Sequence, residues 1–287
     1  MMMKVFVYGT LRKGEGNARL LDGATCLAEQ CWTDGALFDT GYGYPAMKQS
    51  QLDRVYGELY AVSDADLKRL DHLEGYIPGG TNNLYERIEQ TVYTDKGSFT
   101  AFVYVASNSS LVKKHILSGD WKLYQFENSH SKIVYFAYGS CMDDVRFKKQ
   151  NVHHYFQNVI GSGKLHGYTL RFTRKALDGG RADIVEEGGV VEGKLYDITA
   201  DALDYLYGRE GVKAGCYRPA FIEVEYNGLL LKNVLTFTVV DKEAETAPPD
   251  HYMQEIIRGG TGYVSEQYLM VLQTYVKETL MTNQGGR

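Results

Sequence analysis

The chain has 287 residues, enough for two domains that each bury a core of their own. Its 44% hydrophobic and 23% charged content marks it as globular and excludes a disordered chain. A net charge of −5 argues against a nucleic-acid surface, and no apolar run approaches the ~20 residues of a membrane helix.

The predicted elements begin with an apolar strand, Lys4–Tyr8, that runs into the turn Tyr8-Gly9-Thr10-Leu11. Met3-Lys4 leads straight into that strand, so no signal peptide is expected. Further strands are expected at Arg54–Val62, Tyr85–Tyr93 and Ser98–Val105. One helix lies between them. Ser63 suits its N-cap, Asp64 and Asp66 suit its first turn, Leu67, Leu70 and Leu73 form its apolar stripe, and Gly75 ends it. The first domain is read as residues 1–126, followed by a short polar linker from Glu127 to Lys132.

The second domain, residues 133–287, opens on a strand at Ile133–Tyr138. More strands are expected at Leu165–Thr173, Val190–Asp197, Ala220–Tyr226 and Val234–Val240. Thr199 caps a second helix with Leu203 and Leu206 on its inner face. A tail follows that the first domain lacks. Pro248-Pro249 opens a segment carrying Tyr252, Ile256 and Ile257. A last helix, Ser265 to Leu280, shows Tyr268, Leu269, Leu272, Val276 and Leu280 at helical spacing, a core-covering stripe. Strands with few helices mean a mixed α+β fold, and the pattern leaves open whether each sheet closes on itself.

The two halves repeat one another. Tyr8-Gly9-Thr10-Leu11 returns as Tyr138-Gly139-Ser140-Cys141. Gly57-Glu58-Leu59-Tyr60 matches Gly193-Lys194-Leu195-Tyr196, Leu70 to Gly75 matches Leu206 to Gly211, and Tyr85 matches Tyr217. The order is kept throughout, so one fold is expected twice.

Other candidate motifs are set aside. Gly161-Ser162-Gly163-Lys164 lacks the earlier glycine and the Ser/Thr after Lys that a phosphate loop needs, and Gly14-Glu15-Gly16 is no dinucleotide fingerprint. Both are read as turns. His153-His154 has neither ligand spacing nor nearby acids, and is read as surface. Cysteines 26, 31, 141 and 216 show no C-x-x-C or zinc spacing, which fits reduced thiols in a cytoplasm. No metal or cofactor signature stands out.

Glu74 and Glu210 hold the same place in each copy, at a predicted helix C-terminus just before a glycine. Unpaired carbonyls there disfavour a carboxylate, and desolvation would raise its pKa further. Such an acid can accept and return a proton near neutral pH. The plainer alternative is an exposed glutamate before a glycine cap, but its presence in both copies favours function. The Tyr-Gly turn is its natural partner, because a strand ending in such a turn can aim backbone N–H groups at one anion.

These residues carry a resemblance. Val5–Leu21 (VFVYGTLRKGEGNARLL), Gly57-Glu58-Leu59-Tyr60 and Leu70–Tyr76 (LDHLEGY) resemble the gamma-glutamylaminecyclotransferase branch of the gamma-glutamylcyclotransferase superfamily. Tyr135–Ser140 (YFAYGS), Glu210–Tyr217 (EGVKAGCY) and Pro248–Gly260 (PPDHYMQEIIRGG) resemble gamma-glutamylcyclotransferase itself. The resemblance implies two tandem domains of α+β class, each a small mixed β-barrel with flanking helices and no cofactor. It implies Glu74 and Glu210 as proton shuttles. It assigns substrate carboxylate and oxyanion to the turns Tyr8, Gly9, Thr10, Leu11 and Tyr138, Gly139, Ser140, Cys141, with Tyr85 and Tyr217 lining the pockets. Cys141 stands where the family usually has Asn.

The implied reaction is intramolecular aminolysis of a small γ-glutamyl compound, releasing 5-oxoproline and a free amine or amino acid. Arg12, Lys13 or Arg87 in the first domain, and Arg209 or Arg218 in the second, are candidates to meet substrate carboxylates. The alternative is a non-catalytic module that binds a γ-glutamyl metabolite for regulation or scaffolding. Because a thiol offers weaker hydrogen bonds than an amide, Cys141 leads us to expect different substrate preferences in the two domains. The second is expected to be less active on ordinary γ-glutamyl amino acids. Cys216, near Glu210 in sequence, could bring a second thiol to that pocket.

Overall fold

A computed structural model describes residues 2–129 and 132–281; residues 130 and 131 of the expected linker, and residues 282–287 of the tail, lie outside these. The chain divides at residues 130 and 131 into two compact units.

The first unit is built on a closed five-stranded barrel. Its strands are β1 (Met3–Val7), β2 (Thr25–Asp34), β5 (Arg54–Val62), β6 (Tyr85–Thr94) and β7 (Gly97–Ala106), in the order β1-β5-β2-β6-β7. Neighbours are antiparallel except at the closure, where β1 runs parallel to β7 with Val5 opposite Phe102. A side sheet of β3 (Ala36–Asp39), β4 (Pro45–Lys48) and β8 (Lys114–His115) flanks it. Alternation along the strands sorts the side chains. Phe6, Leu59, Val92 and Val103 pack in one buried cluster, while Val5, Val7, Tyr60 and Val62 join another with Leu67 and Leu70 of helix α1 (Asp64–Leu73).

Helix α1 begins where the sequence says. Ser63 Oγ accepts from the Asp66 N–H at 3.2 Å, and the Asp66 carboxylate accepts from the Ser63 N–H at 2.9 Å, a reciprocal capping box. The Ser63 hydroxyl, which also donates to that carboxylate at 2.6 Å, and after it the Ser63 N–H hold the Asp66 carboxyl below its ordinary pKa. The helix ends on left-handed Gly75, φ 61°. Leu67 and Leu70 are buried as expected, but Leu73 is exposed. A short helix α2 (Trp121–Glu127), capped by Asp120, completes the unit.

The second unit repeats the plan. Its barrel strands are β9 (Ile133–Ala137), β10 (Val159–His166), β13 (Val190–Ile198), β14 (Tyr217–Tyr226) and β15 (Leu229–Val239). The circular order β9-β13-β10-β14-β15 is that of the first barrel, again with one parallel closure, Tyr135 opposite Leu235. Between the same two barrel strands it inserts a hairpin, β11 (Thr169–Ala176) and β12 (Gly179–Val185). Helix α4 (Ala200–Arg209) is capped by the Thr199 hydroxyl, which accepts from the Ala202 N–H at 3.3 Å, and ends on left-handed Gly211, φ 62°. Leu206 is buried and Leu203 only half-buried. Helix α3 (Asp144–Lys149) follows the glycine turn. Helix α5 (Asp250–Gly260) and helix α6 (Glu266–Tyr275), which runs on into a π-helical turn, form the tail.

Three sequence expectations need correction. The strand expected over Leu165–Thr173 is two strands, because Gly167 turns the chain at φ 85°. Gly161-Ser162-Gly163-Lys164 is not a turn but lies within β10, with a register irregularity between Val159 and Gly161. Strand β2 was not foreseen; two irregularities, at Cys26/Ala28 and Ala28/Cys31, reset its alternation and hide the period of two.

Two candidate active sites

Each barrel carries a cavity at the end of its first strand. The first, about 300 Å³, is lined by Tyr8, Gly9, Thr10, Leu11, Glu74 and Tyr85, and also by Asn17, Tyr44, Pro45, Leu73, Leu84 and Tyr104. The second, about 250 Å³, is lined by Tyr138, Gly139, Ser140, Cys141, Glu210 and Tyr217. The glycine-turn residues, the glutamate and the tyrosine named as site candidates in each half thus border the cavity of their own unit.

The glycine turns are held by the same hydrogen bonds. The Tyr8 hydroxyl donates to the Tyr104 carbonyl at 2.7 Å, and the Tyr138 hydroxyl to the Phe237 carbonyl at 2.6 Å. The Tyr85 hydroxyl donates to the Pro45 carbonyl at 2.9 Å, and the Tyr217 hydroxyl to the Ala182 carbonyl at 2.8 Å. With their protons committed to the backbone, these hydroxyls offer the cavity acceptor lone pairs only. The turns offer donors: among the described residues, no acceptor meets the backbone N–H of Thr10, Leu11, Ser140 or Cys141. Each cavity therefore pairs N–H groups for an anion with oxygens for a cation.

Glycine is required at these crossings. A Cβ at Gly9 would sit 2.8 Å from the Pro45 ring. At Gly57 it would meet the Val7 carbonyl at 2.3 Å, and at Gly193 the Ala137 carbonyl at 2.4 Å.

Glu74 is the C-cap of α1, its N–H bonded to the Leu70 carbonyl at 2.9 Å. Among the described residues nothing donates to its carboxylate. Burial pushes that carboxyl up to about 7. Its neighbours Tyr8, Tyr85 and Tyr104 are held protonated, by burial first and by the nearby glutamate second or later.

Glu210 is the C-cap of α4 but has company. Its Oε1 lies 3.4 Å from Arg209 Nε and 3.4 Å from the Cys141 thiol. Arg209 also donates to Cys141 Sγ at 3.0 Å and to Ser140 Oγ at 2.8 Å. In the first unit the positions of Arg209 and Cys141 are filled by Leu73 and Leu11. Burial raises the Cys141 thiol above its ordinary pKa, which favours the thiol over the thiolate.

Of the five cations proposed for substrate carboxylates, only Arg209 reaches a cavity. Arg12 is buried between Asp120, at 2.7 Å, and Glu58, at 3.3 Å. Lys13 pairs with Glu29, Arg87 with Asp71 at 2.6 Å, and Arg218 donates to the Pro219 carbonyl at 3.3 Å. Cys216 does not border the cavity; its sulfur accepts from Arg174 at 3.2 Å.

Sequence reading missed most of the second cavity's far wall. Arg146 comes from α3, Arg181 and Ala182 from β12, and His251, Tyr252 and Glu255 from one face of α5. The i, i+1, i+4 spacing of the last three was the available signal. Helix α5 lies against the loop after the turn because Gly259 has no Cβ, which would stand 2.5 Å from the Met142 backbone. Arg258 then pairs with Asp143 at 3.0 Å.

Comparison with known proteins extends this description. The family described as "Gamma-glutamyl cyclotransferase, AIG2-like" matches residues 5–123, and the "AIG2-like family" matches residues 190–272. A Bacillus subtilis protein named "Putative gamma-glutamylcyclotransferase YkqA" is 44% identical over 279 residues, spanning 95% of this chain and 96% of that protein. The crystal structure of YkqA superposes with a TM-score of 0.88, at 43% identity, over 98% of this chain and 99% of that one. "Gamma-L-glutamyl-butirosin B gamma-glutamyl cyclotransferase" of Niallia circulans is 41% identical over 130 residues, 45% of this chain and 81% of that protein.

Proposed function

The chain belongs to the gamma-glutamylcyclotransferase family, with two AIG2-like domains in tandem, and on that premise we propose that its cavities close γ-glutamyl groups into 5-oxoproline. The observation that carries this reading is Glu74: an unpaired carboxyl pushed up to about 7 beside two free turn N–H groups in one small cavity.

The substrate's own α-amine is the nucleophile, so no nucleophilic side chain is needed. Tyr8 and Tyr85 oxygens receive the ammonium, and Glu74 takes its proton. The freed amine attacks the side-chain carbonyl carbon of the same glutamyl group. A C–N bond forms, the five-membered ring closes, and the old C–N bond to the leaving amine breaks. The attacking nitrogen gives up two protons and the leaving nitrogen gains two, with Glu74 as carrier, so no water is consumed. Thr10 and Leu11 N–H groups stabilise the oxyanion. Holding the chain curled supplies effective molarity. Tyr138, Tyr217, Ser140, Cys141 and Glu210 take the same roles in the second cavity. The name of the Niallia relative, which matches over fewer than half of this chain's residues, supports a γ-glutamyl substrate.

The test is incubation of the full chain with a panel of γ-glutamyl compounds and measurement of 5-oxoproline. We expect ring closure that falls in Glu74→Gln and Glu210→Gln and disappears in the double variant. Binding without ring closure would favour the non-catalytic module instead.

A further inference from the structure

The two glutamates share a backbone setting but not a side-chain setting. Each caps its helix, Glu74 with an N–H bond of 2.9 Å to the Leu70 carbonyl and Glu210 with one of 2.8 Å to the Leu206 carbonyl. Leu73 precedes Glu74, and Leu11 ends the turn beside it; the same places around Glu210 hold Arg209 and Cys141. An apolar pair in one cavity is thus a polar pair in the other.

That polar pair joins the glutamate to the turn. Arg209 donates from Nε to Cys141 Sγ at 3.0 Å and from Nη2 to Ser140 Oγ at 2.8 Å. The Cys141 thiol donates to Glu210 Oε1 at 3.4 Å, and the same oxygen lies 3.4 Å from Arg209 Nε. A planar guanidinium holds its partners in one fixed fork. It therefore sets the carboxylate relative to the Ser140 and Cys141 N–H groups. The thiol is committed to the glutamate rather than offered to substrate, as its place in the turn had suggested. Among the described residues Glu74 has no such tether, and burial alone acts on its carboxyl.

Of the other titratable groups near Glu210, Tyr135, Tyr138, Tyr217 and Tyr252 are kept protonated by burial. Across the cavity Arg146 pairs with Glu255 at 3.1 Å, Arg181 pairs with Asp178 at 2.6 Å, and His251 lies 3.7 Å from the same Asp178. Arg209 is the cation that reaches Glu210.

Resting on the ring-closing function proposed above, we propose that Arg209 is a positioning residue for Glu210: with Cys141 it fixes the carboxylate against the turn's N–H groups and supplies its counter-charge. The first cavity holds its shuttle without either.

The measurement is 5-oxoproline formation against pH in full-length Glu74→Gln, where the second cavity works alone. Adding Arg209→Leu, which copies the first cavity, should lower kcat by about 10²-fold, the size of a 1 Å misplacement, with KM little changed. Loss of the cation should also move the acid limb of kcat upward by about 1 pH unit. Arg209→Lys should return the limb but only part of kcat, because an ammonium lacks the fork that reaches Ser140 and Cys141 together. Circular dichroism establishes that the variants fold. An undiminished kcat, a loss confined to KM, or an unmoved acid limb overturns the proposal. Where Arg209→Leu does not fold, Leu73→Arg in full-length Glu210→Gln takes its place: the acid limb of the first cavity should move down, and an unmoved limb overturns the proposal. If the unsubstituted chain forms no 5-oxoproline, the ring-closing reading fails, and carbon-13 NMR titration of the Glu210 carboxyl, identified by its loss in Glu210→Gln, decides the clamp by itself. A midpoint that rises on Arg209→Leu supports it; an unmoved midpoint overturns it.

Discussion

Glu58 and Lys194 occupy the same register position of the two barrels and carry opposite charges. Glu58 faces Val7 across β1–β5, and Lys194 faces Ala137 across β9–β13, each one residue before the turn tyrosine. Both are almost fully buried. Each tethers the loop after its turn. Glu58 accepts from the Lys13 N–H at 2.9 Å and from Arg12 Nε at 3.3 Å. Lys194 donates to the Met142 carbonyl at 2.9 Å and to Asp144 at 3.2 Å. The loop's polarity has inverted together with the residue that holds it.

Swapping these charges should therefore fail in both directions. Glu58→Lys sets a cation beside buried Arg12, and Glu58→Gln leaves that guanidinium short of a counter-charge, at about 3–5 kcal/mol. Lys194→Met should cost less, about 1–3 kcal/mol, because its partner Asp144 is exposed and returns to water. Calorimetry of the full-length variants ranks them, and a Lys194→Met loss larger than that of Glu58→Gln would contradict the account.

The glutamates should act independently. Glu74→Gln keeps the shape of the first cavity and removes its shuttle, so turnover there should fall by ~10²–10⁴-fold. Glu210→Gln should do the same in the second cavity. Five-oxoproline formation by each single variant, on substrates suited to the other cavity, should stay near that of the parent. A single variant that silences both cavities would refute this independence.

Glu74 also predicts a pH dependence. Its carboxyl sits at about 7 in the fold against 4.5 for an ordinary glutamate, so the folded chain holds this proton more tightly. Between those values unfolding releases the proton. The group's contribution to stability is thus full below about pH 4.5, declines as pH rises, and is lost above 7, by up to roughly 3 kcal/mol. Glu74→Gln has no such titration. Its stability relative to the parent should improve from pH 4.5 to pH 8, and a flat difference would count against the shift. In the Glu210→Gln chain, activity should rise with pH through about 7, because the shuttle starts ionised.

Glycine substitutions should separate shared from private constraints. Gly57→Ala and Gly193→Ala place a methyl group against a carbonyl oxygen in both barrels, so both should be severely destabilised. Gly9→Ala meets Pro45 at 2.8 Å, whereas Gly139→Ala meets Ala182 and the Tyr252 hydroxyl at 3.3 Å. Gly9→Ala should therefore cost more than Gly139→Ala, as thermal midpoints will report.

What could be read from the sequence was what both copies punctuate alike. Ser63 and Thr199 start the helices, Gly75 and Gly211 end them, and the Tyr-Gly turns end the first strands, so both glutamates could be set beside both turns without coordinates. Barrel closure could not be read from these residues, since it depends on one parallel contact between distant strands. The cations of the second cavity were hidden for another reason. Arg146 and Arg181 sit on α3 and β12, where the halves diverge and no repeat marks a position as informative. Arg12, conspicuous beside the turn, proved to be structural because Asp120 reaches it from far along the chain.

That last pairing bears on how the protein emerges from the ribosome. The first strand cannot be enclosed until β7 has been made, and the turn's loop is not pinned until Asp120 follows. All of these lie upstream of β9, so the first barrel can finish folding while the second is still being translated. The second must wait for β15, and its cavity for Tyr252 beyond it. Synthesis thus proceeds through a stage with one complete cavity and one unfinished.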